Sequence, residues 1–229
     1  MSNRMRKLFF PLSALLVLLP FAWTQQSNVH PVSGRQYAGA MGMQGAPWLV
    51  RSEREQEEQP DKALDELKIP KGATVADIGA GVGYMSWRMA RRVGPTGKVY
   101  ANDIQAAMLD QLQKNMQQRH ITNVTPVLGE PDDPKLPQAQ MDLVLLVDVY
   151  HEFTNPQAML RHIRESLKPD GRVVLLEYRA EDPAVPIMPL HKMTVAQVRA
   201  ELEPEGFRFD RVIESLPRQH ILIFKRKPS

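Results

Sequence analysis

The 229-residue chain has no cysteine, which excludes a disulfide framework and a lipid-modified N-terminal cysteine. It has no internal repeat, no basic cluster and no run of stacking aromatics. The sequence pI of 9.2 would suggest an anionic partner. Yet of the 29 basic residues three, Arg4, Arg6 and Lys7, stand in the first 24 positions, where there is no acid, and the other 26 match the 26 acids. The remainder is formally neutral, and no nucleic-acid partner is expected. Long apolar runs are also missing. The run Leu8 to Trp23 is short and is broken by Pro11 and Pro20. With cations ahead of it, it reads as a signal peptide over 1–24 rather than a spanning helix. Cleavage is expected near Ala22 or Thr24, giving an exported (periplasmic or secreted) chain. Because Ala22-Trp-Thr24 is an imperfect small-x-small site, membrane anchoring by residues 8–23 stays open.

Turning to what the sequence does contain, the apolar stretch Val75-Ala-Asp77-Ile ends in Gly79-Ala80-Gly81-Val-Gly83-Tyr84. A strand running into alternate glycines frees the backbone for positive φ and lets a ligand approach the main chain, at the start of a helix with unpaired N–H groups. A dinucleotide fingerprint would carry a further glycine where Tyr84 stands, which counts against a nicotinamide oxidoreductase. A second acid-ended run, Lys98-Val-Tyr-Ala-Asn-Asp103, follows in the window where a ribose-binding carboxylate belongs.

The G-x-G-x-G spacing after an acidic strand end resembles the first motif of class I S-adenosylmethionine (SAM) methyltransferases. The resemblance implies SAM as cofactor, held by Asp77, Gly79, Ala80, Gly81, Gly83, Tyr84, Asp103, Ile104 and Asp148. In this family an acid after the third strand meets the adenine amino group. Glu130 is the first choice here and Asp132 the second.

The order of elements extends the resemblance over roughly residues 60–229. It implies a Rossmann-like α/β fold: a seven-stranded, mostly parallel sheet with helices on both faces and an antiparallel last strand. Residues 71–229 form the SAM-binding domain, and residues 25–70 form an N-terminal arm and helices. Residues 25–47 read as a linker or loosely packed arm. Ser52 to Gln59, opened by a Ser52–Glu55 capping box, reads as a solvated helix or a lid anchored by Trp48 and Leu49. Thr194 and Gln197 form a further capping box. Met85, Met89 and Val93 recur at helical spacing and read as core rather than as anything tied to a methyl donor.

Ligands of open α/β sheets sit beyond the carboxyl ends of the strands. After strand four come Tyr150, His151 and Glu152, where the resembling family brings methyl and acceptor together. His151 is the candidate base or acceptor-orienting group, with Tyr150 and Glu152 beside it and Glu152 or Glu177 orienting it. His191 and His220 have no assignable motif. No resident metal is expected, because the Asp-Asn pair of catechol-type enzymes is replaced by Glu177-Tyr178. Methyl transfer to a small-molecule or lipid-like acceptor is the expected activity. An exported, non-catalytic SAM- or nucleoside-binding protein is the alternative.

Overall fold

A computed structural model describes residues 28–227; the expected signal segment over 1–24 lies outside the described residues. Among the described residues no helix is long and apolar enough to cross a membrane. The elements in chain order are α1 (Ala46–Leu49), α2 (Arg54–Glu57), α3 (Pro60–Glu66), β1 (Thr74–Ile78), α4 (Ser86–Val93), β2 (Lys98–Asp103), α5 (Ala106–Gln118) and β3 (Val124–Leu128). They continue with β4 (Met141–Val147), α6 (Pro156–Ser166), β5 (Leu167–Arg179), β6 (Lys192–Met193), α7 (Val195–Leu202), β7 (Phe207–Ile213) and β8 (Gln219–Arg226).

The sheet order is β3-β2-β1-β4-β5-β8-β7, with the two-residue β6 pairing the end of β5. Strands β1 to β5 are mutually parallel, and β8 runs antiparallel to both of its neighbours. The expected sheet with its reversed last strand is therefore present, and β6 is an addition.

Central parallel strands are covered on both faces, so they read as unbroken apolar runs, and the period of two assigns alternate residues to opposite layers. Val75, Leu143, Leu145, Val174, Leu176 and Ile223 pack with Leu64 of α3, Leu67 just after it, and Met89 and Val93 of α4. Ala76, Ile78, Val144, Leu146, Leu175 and Phe224 pack with Met159, Leu160, Ile163, Val198 and Leu202 of α6 and α7. The methionines at 85 and 89 are core, as their spacing indicates. β1 lies between β2 and β4, so the strand order reverses there and opens a crevice beyond the carboxyl ends. The Thr194–Gln197 capping box forms as expected and starts α7.

The N-terminal part departs from the sequence reading. Residues 28–40 are a packed strap rather than a loose linker: Arg35 makes a bidentate pair with the buried Glu201 of α7, at 3.0 Å for both Nε and Nη2. Ser33 Oγ donates to the same carboxylate at 2.5 Å. The Ser52–Glu55 box does not form, since Ser52 Oγ turns to Glu53 and α2 spans only four residues. Ser52, Glu53, Glu55 and Gln56 of the polar run are exposed as a solvated face would be, but Arg54 and Glu58 are buried.

Candidate active site

The crevice is a cavity of about 770 Å³ bounded by the ends of β1, β2, β4 and β5 and roofed by the strap and α1. Its floor is the glycine turn. Gly79 and Gly81 take φ of 67° and 52°, and a Cβ on Gly79 would lie 2.4 Å from Val149. Side chains are thus excluded where a ligand must meet the main chain. Gly83, also at positive φ, packs against Leu112 and Met116 of α5 and does not line the cavity; its role is to seat the helix.

Asp103 ends β2 beside this turn. Its Oδ2 accepts from Gly81 N–H and its Oδ1 from Gln105 N–H, both at 2.9 Å. Burial pushes its carboxyl upward, and the backbone donors oppose that. Each oxygen keeps a further lone pair, so the carboxylate is rigidly aimed and can still accept from a diol. Asp77, at the end of β1, accepts from Ser86 Oγ at 2.6 Å, and its burial pushes the carboxyl up to about 7. Ile104, Met108 and Pro131 make an apolar slot next to Asp103. Glu130 does not reach it. A tight Glu130–Asp133 bridge turns its carboxylate outward onto Lys135, at 3.3 Å.

On the other side of the turn, Asp148 has φ of 50° and accepts from Gln219 Nε2 at 2.7 Å, while its buried Oδ1 has no partner among the described residues. Burial, and then the Glu58 and Glu177 charges, hold this carboxyl well above the usual range. Arg54 stands across from it. Its guanidinium donates to Glu58 at 2.7 Å and to the Leu49 carbonyl at 2.6 Å, and Glu58 also accepts from Tyr178 Oη at 2.8 Å. Tyr84 lines the cavity and donates from its hydroxyl to Glu55 at 2.7 Å.

The far end of the cavity holds an unbroken chain of hydrogen bonds. Glu177 accepts from Tyr150 N–H at 3.0 Å and meets His151 Nδ1 at 2.6 Å, and His151 Nε2 lies 3.0 Å from His191 Nδ1. Because a carboxylate only accepts, Nδ1 of His151 carries the hydrogen; with a neutral His151 ring Nε2 accepts from His191 Nδ1, and with the imidazolium it donates to it. Burial disfavours the His151 imidazolium, but Glu177 outweighs that and the net shift is upward. Burial and the neighbouring His151 lower His191. Glu152, beside the pair, is pushed up to about 7 by burial. The strap fixes this end from behind, with Arg35 Nη1 and Ala38 N–H both donating to the His151 carbonyl.

The structure thus brings Asp77, Gly79, Ala80, Gly81, Tyr84, Asp103, Ile104, Asp148, His151 and Glu152 to one cavity. Tyr150 is fully buried behind it, against Phe153 and the Arg35 guanidinium. Reading the sequence did not assign His191, Arg54 or the strap to the site. The partners of His191 and of the strap lie far away in the chain, Arg54 pairs locally with Glu58 in a polar run, and the local signal was the aromatic and aliphatic pair Trp48-Leu49, which does line the cavity.

The lining is compatible with SAM: Asp103 keeps lone pairs that can accept from a diol, an apolar slot beside it can take a purine, and the buried Asp148 Oδ1, without a partner among the described residues, belongs to a residue lining the same cavity. Residues 69–213 match the family described as methyltransferase domain. The ubiquinone/menaquinone biosynthesis C-methyltransferase UbiE of Hahella chejuensis is 32% identical over 127 residues, 55% of this chain and 50% of that protein. Its counterpart in Cupriavidus taiwanensis is 33% identical over 111 residues, 48% and 45% of the two chains. The chain spans about half the length of the curated relatives it matches. In fold it is similar to a SAM-dependent methyltransferase from Aquifex aeolicus, with TM-score 0.76 and 24% identity over 81% of this chain and 98% of the other. The [4+2]-cyclase SpnF shares the fold too, at TM-score 0.63 and 16% identity over 74% and 80%, so the fold by itself does not fix the reaction. The matched domain, which covers most of the chain, places it in the family of class I S-adenosylmethionine-dependent methyltransferases.

Proposed function

We propose that the chain transfers the methyl group of SAM to an apolar, ring-bearing small molecule that enters the cavity from a lipid phase. The observation that carries this reading is the single cavity that joins the glycine turn and Asp103 to the Glu177–His151–His191 chain. Bound there, SAM supplies a methyl group already activated on a sulfonium. The chain's own residues align and deprotonate. Asp103 and the glycine turn fix the donor end, and such positioning contributes up to roughly 7–11 kcal/mol. Met41, Leu49, Phe153 and Ile187 add apolar lining to the same cavity. Trp48, Ile104 and Met188 are lining residues that are also 50%, 46% and 67% exposed, so the mouth itself is apolar. The C-methyltransferase relatives named for ubiquinone and menaquinone biosynthesis favour the same acceptor class.

Methylation at a ring carbon or a ring hydroxyl requires loss of a proton. Half-buried His191 can take it while handing its Nδ1 hydrogen to His151, where Glu177 stabilises the imidazolium. His191 is then the group that meets the acceptor, and His151 acts through it. His191→Ala should lower turnover of an apolar cell-envelope extract by roughly 10²-fold or more with SAM affinity unchanged. Unaltered turnover would overturn the proton route. SAM binding with no S-adenosylhomocysteine formed on any extract would leave a non-catalytic binding protein instead. The reading also keeps the chain outside the cytosol, supported by Arg4, Arg6 and Lys7 ahead of the apolar run.

A further inference from the structure

Two imidazoles and a carboxylate converge at the acceptor end of the cavity. One donor atom from each of His151, His191 and Glu152 lies within 4.8 Å of the others. We infer that these three residues form a binding site for one divalent first-row transition-metal ion, facing the acceptor. For its place in turnover the inference rests on the methyltransferase reading, with the ion taking the place of the His191–His151 proton route because it would occupy the same two ring nitrogens; the ion binding itself does not rest on that reading.

The spacing suits an ion. Two nitrogens each about 2.1 Å from a common metal stand about 3.0–3.4 Å apart at angles between octahedral and tetrahedral. His151 Nε2 and His191 Nδ1 are 3.0 Å apart, with ring planes at 83°. A Glu152 carboxylate oxygen lies within 4.8 Å of both nitrogens, and all three residues line the cavity that an acceptor would enter. Two imidazoles and one carboxylate with open positions form the donor set of catalytic zinc and of related nitrogen-preferring ions, whereas magnesium and calcium prefer oxygen throughout.

The surroundings supply what such a site needs. Ligand histidines are held by a carboxylate on the distant ring nitrogen, which fixes the tautomer and raises the basicity of the ligating nitrogen. Glu177 does this for His151 at 2.6 Å and is itself anchored by the Tyr150 N–H. The Arg35 and Ala38 bonds to the His151 carbonyl hold the backbone that carries the ring. When the ion enters, His151 keeps its Nδ1 hydrogen. His191 moves its hydrogen from Nδ1 to Nε2, so each ring offers a lone pair and no net proton is released by the pair. Glu177 is a positioning residue here; it does not touch the ion.

Chelator-stripped protein titrated with Co²⁺ tests the site by calorimetry and by visible absorption. One Co²⁺ per chain is expected, with ligand-field bands that Zn²⁺ abolishes by competition. His191→Ala should weaken binding at least about 100-fold, and Glu177→Gln by about 10- to 100-fold. His162→Ala, at a partly exposed histidine on α6 outside the cavity lining, should change nothing. If the histidine variants fail to fold, Glu152→Gln and the wild-type spectrum decide. Absence of ligand-field bands, or equal Co²⁺ affinity in wild type and in His191→Ala or Glu152→Gln, would overturn the site. SAM titration of the stripped protein separates the two ideas. SAM binding without Co²⁺ binding removes only the metal site, and Co²⁺ binding without SAM binding removes only the methyltransferase reading.

Discussion

Asp103 carries the donor end of the cavity at the level of single residues, because two backbone N–H groups aim its carboxylate and leave lone pairs for a diol. Asp103→Ala should weaken SAM by about 1.5–3 kcal/mol in calorimetry; an unchanged affinity would remove the ribose role. Asp77 makes a pH-dependent claim. Its carboxyl is raised from 3.8 to about 7, so the folded state holds a proton that the unfolded chain has released. The stability this group contributes is full below about pH 4 and is lost as pH rises towards 7, a swing of up to about 4 kcal/mol. Asp77→Asn should therefore gain stability relative to wild type between these pH values in chemical unfolding; a pH-independent difference would contradict the shift. Asp77, Gly79, Gly81 and Asp103 were legible in the sequence because a strand end and a turn fix their spacing locally. His191 was not legible. It stands 40 residues from its partner, and only the short β6 pairing with β5 brings it to His151. Glu130 misled because the Glu130–Asp133 bridge points its side chain away from the cavity, which no residue pattern signals.

The strap and α2 differ from the other elements in how they are held. The sheet and its covering helices follow from apolar periodicity, so truncating a fully buried central position such as Leu145→Ala should cost about 2–5 kcal/mol in urea unfolding. A loss below 1 kcal/mol, on the order of a surface change, would contradict its central place. The N-terminal elements are held instead by buried charge: Arg35 on Glu201, and Arg54 on Glu58 under Tyr178. Such pairs look like a solvated face in sequence, because Glu201 lies far from Arg35 in the chain and an Arg54–Glu58 pair at i,i+4 spacing gives no sign of the distant Tyr178 that covers it. Removing one partner leaves an uncompensated buried charge, so Arg54→Ala should destabilise by about 3–5 kcal/mol. A variant as stable as wild type would restore the solvated-helix reading of residues 52–59.

For the whole molecule, location and chemistry are separable claims. An export-dependent reporter fused after residue 60 should be active if the cationic, apolar N-terminal segment directs export, and an inactive reporter in a cytosolic fraction would contradict it. The chemistry rests on one cavity whose donor end and acceptor end are both built, under an apolar mouth. The most direct test is to incubate the purified protein and its Asp103→Ala variant with SAM carrying a trideuterated methyl group and an apolar cell-envelope extract, and to follow both products by mass spectrometry. The account predicts a trideuteromethylated apolar product formed in step with S-adenosylhomocysteine by the wild type, and strongly reduced for Asp103→Ala at limiting SAM. SAM bound but returned unchanged, with no labelled product in any fraction, would contradict it.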